Sequence, residues 1–385
     1  LLAEVRVQQM LQNWLKPKSL PIGLDVGHSM IKMIQLCCKD GYISVEAAEE
    51  EMLDRTLAPD SDEWRRHTAD LITAMYRRGG FRGRKVVSCL PGDAVKIKSL
   101  RLDTVEPEEI EKIMHTEVSR RFGLDPQRDE IRYMVAGNAY QGEEIKNEVI
   151  FFGIESRQVT NHIMLLEEAD LVPISLDTVP CALFRCFQAT LRRREDQDLV
   201  SVFVDLGSQY TTVIIGKGQE IAFVKQIPIA GNALNEQVAL RLGISLEEAA
   251  AVRARLRSSD DQQKNPETRR AVIDAMSTSI EMLAHEISLC FRYYAVTFRG
   301  RRPAEAAFAG GEAYESALID ALQRHLGVEI RIAEPLRGYD LSRAKFDRRR
   351  NPQMCEWAIA VGLALKGMEL NQSRQYAAQE TEVSV

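Results

Sequence analysis

Phe203-Val204-Asp205-Leu206-Gly207-Ser208-Gln209 runs into Tyr210-Thr211-Thr212-Val213-Ile214-Ile215 and repeats the pattern of an earlier stretch. That stretch is Gly23-Leu24-Asp25-Val26-Gly27-His28-Ser29, running into Met30-Ile31-Lys32-Met33-Ile34. Each copy reads as an apolar strand, an Asp, a Gly turn with small polar company, and a second apolar strand. Each second strand then reaches a turn of its own, Lys39-Asp40-Gly41 or Gly216-Lys217-Gly218. This is a β-hairpin signature given twice. A glycine lets backbone N–H groups approach and cradle phosphate oxygens. A nearby Asp can hold Mg²⁺ through waters, which makes Asp25 and Asp205 the candidate metal ligands. Two facing hairpins can grip the phosphates of a nucleotide from both sides. A lone Asp-x-Gly is an ordinary turn signal; the duplication in matched strand context gives the reading its weight.

Working outward, the 385 residues and 45% apolar content suit two or more domains of roughly 100–200 residues with real cores. A net charge of −6 implies no general affinity for nucleic acid. The runs Arg192-Arg193-Arg194 and Arg348-Arg349-Arg350 sit between expected elements and read as solvated loops. The 7 cysteines are scattered without a CxxC pair, which fits buried free thiols in a reducing compartment. No apolar run approaches the roughly 20 residues of a membrane span, and no signal-peptide core is visible, so a cytoplasmic protein is expected.

The pattern predicts an amphipathic helix over 1–19, with Val7, Leu11, Trp14 and Leu15 on one face and Pro17 as its stop. The first hairpin covers about 20–48, a helix follows over 61–79, and Lys85 to Leu90 is a buried strand. Residues 93–177 then change character. Their order, β-α-β-β-α-β, describes an inserted subdomain of sheet and helices. A helix over 178–198 leads to the second hairpin. Charged helical sequence fills 233–299, with an exposed loop at 260–266. A strand from Ala304 runs into Gly310-Gly311, a helix spans 353–367, and 368–385 is a polar tail.

Phe308-Ala309-Gly310-Gly311-Glu312-Ala313 is a strand, a glycine pair and a helix start. Such a turn lets a ligand lie flat against backbone, and the helix start favours an anion. Third in order after two phosphate hairpins, it suggests the adenosine side of the same site.

At this point the chain resembles the actin-like ATPase superfamily, and within it the PilM family of type IV pilus assembly, with FtsA as a relative. The resemblance covers about 20–367. It is carried by Gly23 to Lys32, Asp205 to Thr212, Ile227 to Asn232, Gly243 to Ala249, Leu283 to Tyr294, Ala309 to Ala313, Leu326 to Val328, Glu334 to Gly338 and Ala360 to Gly367. It implies an α/β, actin-like fold of two duplicated halves around a nucleotide cleft. The first half would comprise 20–92 with the helices 178–198 and 353–367, and the second 199–352; the insert would occupy 93–177.

The resemblance also implies ATP and Mg²⁺ as cofactors. It places Gly27, His28, Ser29, Lys32, Gly207, Ser208, Thr211, Thr212, Gly231, Arg253, Gly310 and Gly311 around the nucleotide, with Asp25 and Asp205 at the metal. The implied function is a scaffold that binds the cytoplasmic N-terminal tail of a PilN-like inner-membrane protein, in a groove between the first subdomain and the insert. Self-association also belongs to this expectation, as does a peripheral place at the inner membrane through the partner.

Four departures bear on chemistry. His28 stands where the family has Ser or Thr. Ala250 replaces an acid three residues before the basic Arg253, Val179 replaces a Glu next to Pro180, and Ala230-Gly231 replaces a glycine pair. Together they predict weak nucleotide binding and very slow hydrolysis, or an empty site. The other readings of the sequence are an FtsA-like membrane-tethered filament protein and a small-molecule kinase on the same fold.

Overall fold

The computed structural model describes residues 19–39, 42–59, 61–103, 105–188, 199–257, 266–300, 302–344, 346 and 352–383. The expected helix over 1–19 lies outside them except for Ser19, as does the loop 260–266 except for Pro266, and both arginine runs. The chain opens with a meander, β1 (Ser19–Val26), β2 (Met30–Lys39) and β3 (Tyr42–Met52), followed by helix α1 (Asp62–Gly79) and β4 (Lys85–Cys89). Next come β5 (Lys96–Leu102), α2 (Pro107–Ile113), a π-helical turn (Met114–Val118), α3 (Ser119–Phe122), β6 (Glu130–Gln141) and β7 (Glu144–Ile154). Helix α4 (Ser156–Glu168), β8 (Val172–Asp177) and α5 (Val179–Gln188) close the first half.

The second half repeats the plan with β9 (Val200–Leu206), β10 (Thr211–Lys217) and β11 (Glu220–Ile227). Helices α6 (Gly231–Leu242), α7 (Leu246–Arg257) and α8 (Pro266–Thr297) precede β12 (Glu305–Ala309). A 3₁₀ turn (Gly311–Tyr314), α9 (Ser316–Leu326), β13 (Glu329–Ile332) and α10 (Ala358–Val383) complete it. The polar tail expected from 368 is a continuation of α10, which runs on to Val383.

Local chemistry explains the element ends. In α1 the Ser61 hydroxyl accepts from Trp64 N at 3.1 Å. Asp62 and Glu63 sit in its first turn, Arg77 and Arg78 in its last, each sign suited to the helix dipole. Gly80 ends it at φ 73°, a left-handed conformation that costs other residues more.

The two large sheets have matching orders, β3-β2-β1-β4-β8 and β11-β10-β9-β12-β13. In each, an antiparallel meander is extended by two parallel strands beside its first strand. Parallel strands need crossover helices, and these cover the sheets. Ile22, Leu24 and Ile31 of the first sheet pack with Ile72 and Met75 of α1 and Leu165 of α4. Each such fully buried side chain contributes about 1.5–3 kcal/mol. Helices α5 and α10 pack against each other, with α10 on β1 and α5 on β10. The contact is close: a Cβ on Gly362 would stand 1.8 Å from the Ala182 carbonyl oxygen, and one on Gly216 would stand 2.4 Å from the Phe184 ring. The duplicated hairpins thus belong to two sheets of one plan.

The insert differs in extent from the 93–177 read from the sequence. Its antiparallel sheet holds β5, β7 and β6, in the order β5-β7-β6. Its core draws on Leu102, Ile110, Val118, Phe122, Val149 and Phe151. The strand at Val172–Asp177 instead pairs in parallel with β4, and α4 packs on α1. The apolar strand β8 finds its hydrogen-bond partners in the first sheet, so the last α and β of the expected β-α-β-β-α-β series belong to that sheet's layer.

Candidate nucleotide cleft

Asp25 and Asp205 occupy equivalent places, near the ends of β1 and β9, the middle strands of their sheets. Asp25 is paired in register with Lys32 on β2, and Asp205 with Thr212 on β10. All four are buried. Burial pushes the Asp205 carboxyl up to about 7, with the Asp25 charge adding to the rise and Lys32 opposing it. Asp25 is raised by burial against the pull of Lys32 and His28. The two buried carboxylates are therefore near enough for the charge of Asp25 to raise Asp205, and both feel the charge of Lys32. A divalent cation would relieve their repulsion. Among the described residues no group of three His, Cys, Asp or Glu side chains is placed to cage a metal. Two carboxylates completed by waters and phosphate oxygens is the coordination style of Mg²⁺.

The turns themselves are built alike. Gly27 N donates to Met30 O at 3.0 Å and Gly207 N to Tyr210 O at 3.2 Å. The rings of His28 and Tyr210 lie 6.4 Å apart, so the turns meet across the cleft. His28 points its Nε2 at the Asp93 carboxylate, 3.3 Å away, and the contact holds Asp93 below the ordinary carboxylate range. The Ser29 hydroxyl accepts from Arg55 at 2.6 Å. Thr211 is fully buried and donates to Ile229 O at 2.7 Å, a structural bond. Ser208 O accepts from Asn232 N at 2.7 Å, and Gly207 O from Gly231 N at 3.1 Å, which docks the start of α6 on the second turn.

The third element closes this end. At φ 90°, Gly310 lies so near β9 that a Cβ would stand 2.4 Å from Leu206 O and 2.6 Å from Asp205 Oδ1. Gly311 faces open space.

Arg253, which the resemblance places at the nucleotide, lies deep beside this third element. It is fully buried and holds an internal network. Its Nη1 donates to Gly231 O at 2.9 Å and to Asn235 Oδ1 at 2.7 Å. Its Nη2 donates to Glu312 Oε2 at 2.6 Å and to Glu315. Arg257 reaches the same Glu312 oxygen at 2.6 Å. Burial works against the Glu312 charge, but Arg253 and Arg257 outweigh it and keep the carboxyl lowered. The Nε atoms of both arginines are buried and find no hydrogen-bond partner among the described residues, so the network is held through the Nη atoms.

Glu312 and Glu315 were absent from the sequence-derived site. The available signal was two acids directly after the glycine pair, Gly310-Gly311-Glu312-Ala313-Tyr314-Glu315.

Two like-ordered sheets, duplicated Asp-Gly turns and a glycine turn against the second of them define the fold of the actin-like ATPases. Against known structures, the chain is similar to a protein of the "PilM-PilN type IV pilus biogenesis complex" at a TM-score of 0.73. That match has 20% identity and covers 90% of this chain and 98% of the other. It is also similar to the ethanolamine utilization protein EutJ from Carboxydothermus hydrogenoformans, at a TM-score of 0.54 and 16% identity, covering 91% and 90%. The sequence profile described as type IV pilus assembly protein PilM matches residues 23–368, and the chain belongs to that family. Among the described residues no helix is long and apolar enough to cross a membrane.

Proposed function

We propose that this chain is a scaffold of a type IV pilus or related secretion machine, which docks the cytoplasmic tail of a PilN-like inner-membrane protein and sits at that membrane through it. The observation that carries the reading is the family match over 23–368. The insert supplies a plausible dock: β5 is an edge strand, paired with β7 alone among the described strands. An extended tail can add to such an edge, main-chain bonds giving affinity and alternate side chains specificity. Lys96 and Lys98, which tie back to Phe122 O at 2.8 Å and Arg121 O at 2.6 Å, guard the strand against indiscriminate pairing.

The cleft divides in its fit to a nucleotide. The phosphate end fits: the backbone N–H groups of the two turns would take the phosphates, and Asp25 and Asp205 would hold a hydrated Mg²⁺. The base end does not fit an adenosine, because Glu312 and Arg253 occupy the space beside Gly231. The proposed function therefore rests on binding, not on turnover.

The test is a titration of the full chain with a peptide of the partner's cytoplasmic tail. Lys96→Glu with Lys98→Glu is expected to weaken binding by about tenfold or more. Undiminished binding would place the tail elsewhere, and failure of the wild type to bind any such tail would overturn the scaffold reading.

A further inference from the structure

A nucleoside in this cleft would need three surfaces: the start of α6, the Gly310-Gly311 turn, and a side chain of α7. The chain's own charges use all three. The Glu312 carboxylate covers the start of α6, so closely that a Cβ on Gly231 would stand 2.5 Å from Oε1. Arg257 reaches the Gly311 carbonyl at 3.4 Å and the Glu312 carboxylate at 2.6 Å. Arg253, from α7, spends Nη1 on Gly231 O and Asn235 and Nη2 on Glu312 and Glu315.

Two guanidinium groups face two carboxylates, so the cluster is neutral as a whole. Its inner part is closed off, because Arg253 is fully buried and Glu315 is buried beside it, while Arg257 borders solvent. A neutral base could enter only by separating a pair and leaving a buried charge without its partner. The nearby Tyr314 hydroxyl is itself bonded to Glu356 and accepts from Cys355 N at 3.0 Å, which fixes the segment between the two acids.

We propose that the Arg253–Glu312–Glu315 triad is an internal occupant of the adenosine half of the cleft. The protein thereby keeps its closed form without a nucleoside and recognises at most the phosphate and metal part of a nucleotide. The inference concerns the cleft, not the partner, so tail binding measured on the same samples separates its failure from failure of the scaffold reading.

The experiment is calorimetry on the full chain with Mg-ATP and with Mg-tripolyphosphate. For the wild type, the two ligands are expected to bind within about tenfold of each other, or neither to bind at millimolar concentration. Wild-type binding of ATP more than about tenfold tighter than tripolyphosphate overturns the proposal. The triple variant R253A/E312A/E315A removes the three charges of the triad, leaves the more exposed Arg257, and empties the space. It is expected to bind Mg-ATP at least about tenfold tighter than wild type, with tripolyphosphate unchanged. The volume-keeping R253M/E312Q/E315Q should show no such gain. A folded alanine triple without the gain overturns the proposal; if it does not fold, the wild-type comparison decides.

Discussion

The hydroxyl of Tyr293 donates a 2.7 Å hydrogen bond to the carboxylate of Glu148, tying α8 of the second half to the middle strand of the insert. Glu148 is buried, and Arg101 pairs with it at 3.3 Å while reaching Thr297 Oγ1 at 2.9 Å. A bond to a charged group contributes about 1.5–3 kcal/mol, so Tyr293→Phe should lower unfolding stability by about that amount. Glu148→Ala should cost more, because it also strips Arg101 of its counter-charge. The double variant should cost less than the sum, as a double-mutant cycle in urea would read. Additive losses would mean that the insert and the second half are not coupled here.

Asp205 should make the protein less stable as pH rises. Its folded pKa of about 7 lies above the ordinary 3.8. Between these values the unfolded chain gives up the proton that the folded chain keeps, so stability falls through this window and the full penalty stands above it. Asp205→Asn should therefore melt higher than wild type at about pH 8, with the difference shrinking toward about pH 5. If Mg²⁺ binds at the pair, it should raise the wild-type melting temperature more at the higher pH, and not that of the variant. A constant difference across pH would contradict a raised Asp205 carboxyl.

His162 acts in the opposite sense. Its Nε2 lies 2.9 Å from Ser88 Oγ, and burial alone lowers its pKa to about 4. The unfolded chain takes up a proton below its ordinary 6.5 and the folded chain does not. This contribution to stability is present above that value and is lost as pH falls toward about 4. His162→Gln, which keeps a partner for Ser88, should flatten that slope in thermal melts between about pH 7 and pH 5. An unchanged slope would remove His162 as a source of acid sensitivity.

Gly362→Ala should cost about 3 kcal/mol or more and reduce soluble yield, since its Cβ would meet the Ala182 carbonyl at 1.8 Å and a helix backbone has little room to give. Gly311→Ala is the control. It faces open space and lacks a positive φ, so it should change stability by less than about 0.5 kcal/mol. Equal effects on soluble yield and melting temperature would refute the close packing of α5 and α10.

What could be read from sequence follows physical range. The Asp-Gly hairpins were visible because strand alternation and turn glycines are local signals, and both copies carry them. The extent of the insert was not, because Val172–Asp177 looks the same whether it pairs with β7 or β4; only the three-dimensional register with Lys85–Cys89 decides. The protein partners of Arg253 were not legible, for a related reason. Charged helical sequence over 233–299 is a local signal, but the acids that capture Arg253 lie on another element, beyond β12. The bond from the Thr211 hydroxyl to a backbone carbonyl 18 residues onward was equally out of reach of local pattern.

Gly23 lies under α10, where a Cβ would stand 2.3 Å from Ala360 O and 2.6 Å from Ala364 N. A strand made early in translation is thus covered by a helix made late, with about 330 residues between β1 and α10. At cellular elongation rates that interval is roughly a quarter of a minute to a minute. Throughout it Leu20, Ile34 and Leu36, which share a core with Ala360, Val361 and Ala364, lack their natural cover. The first sheet accordingly reaches its final packing only once α10 has been synthesised, so its folding is set by a contact of very long sequence separation.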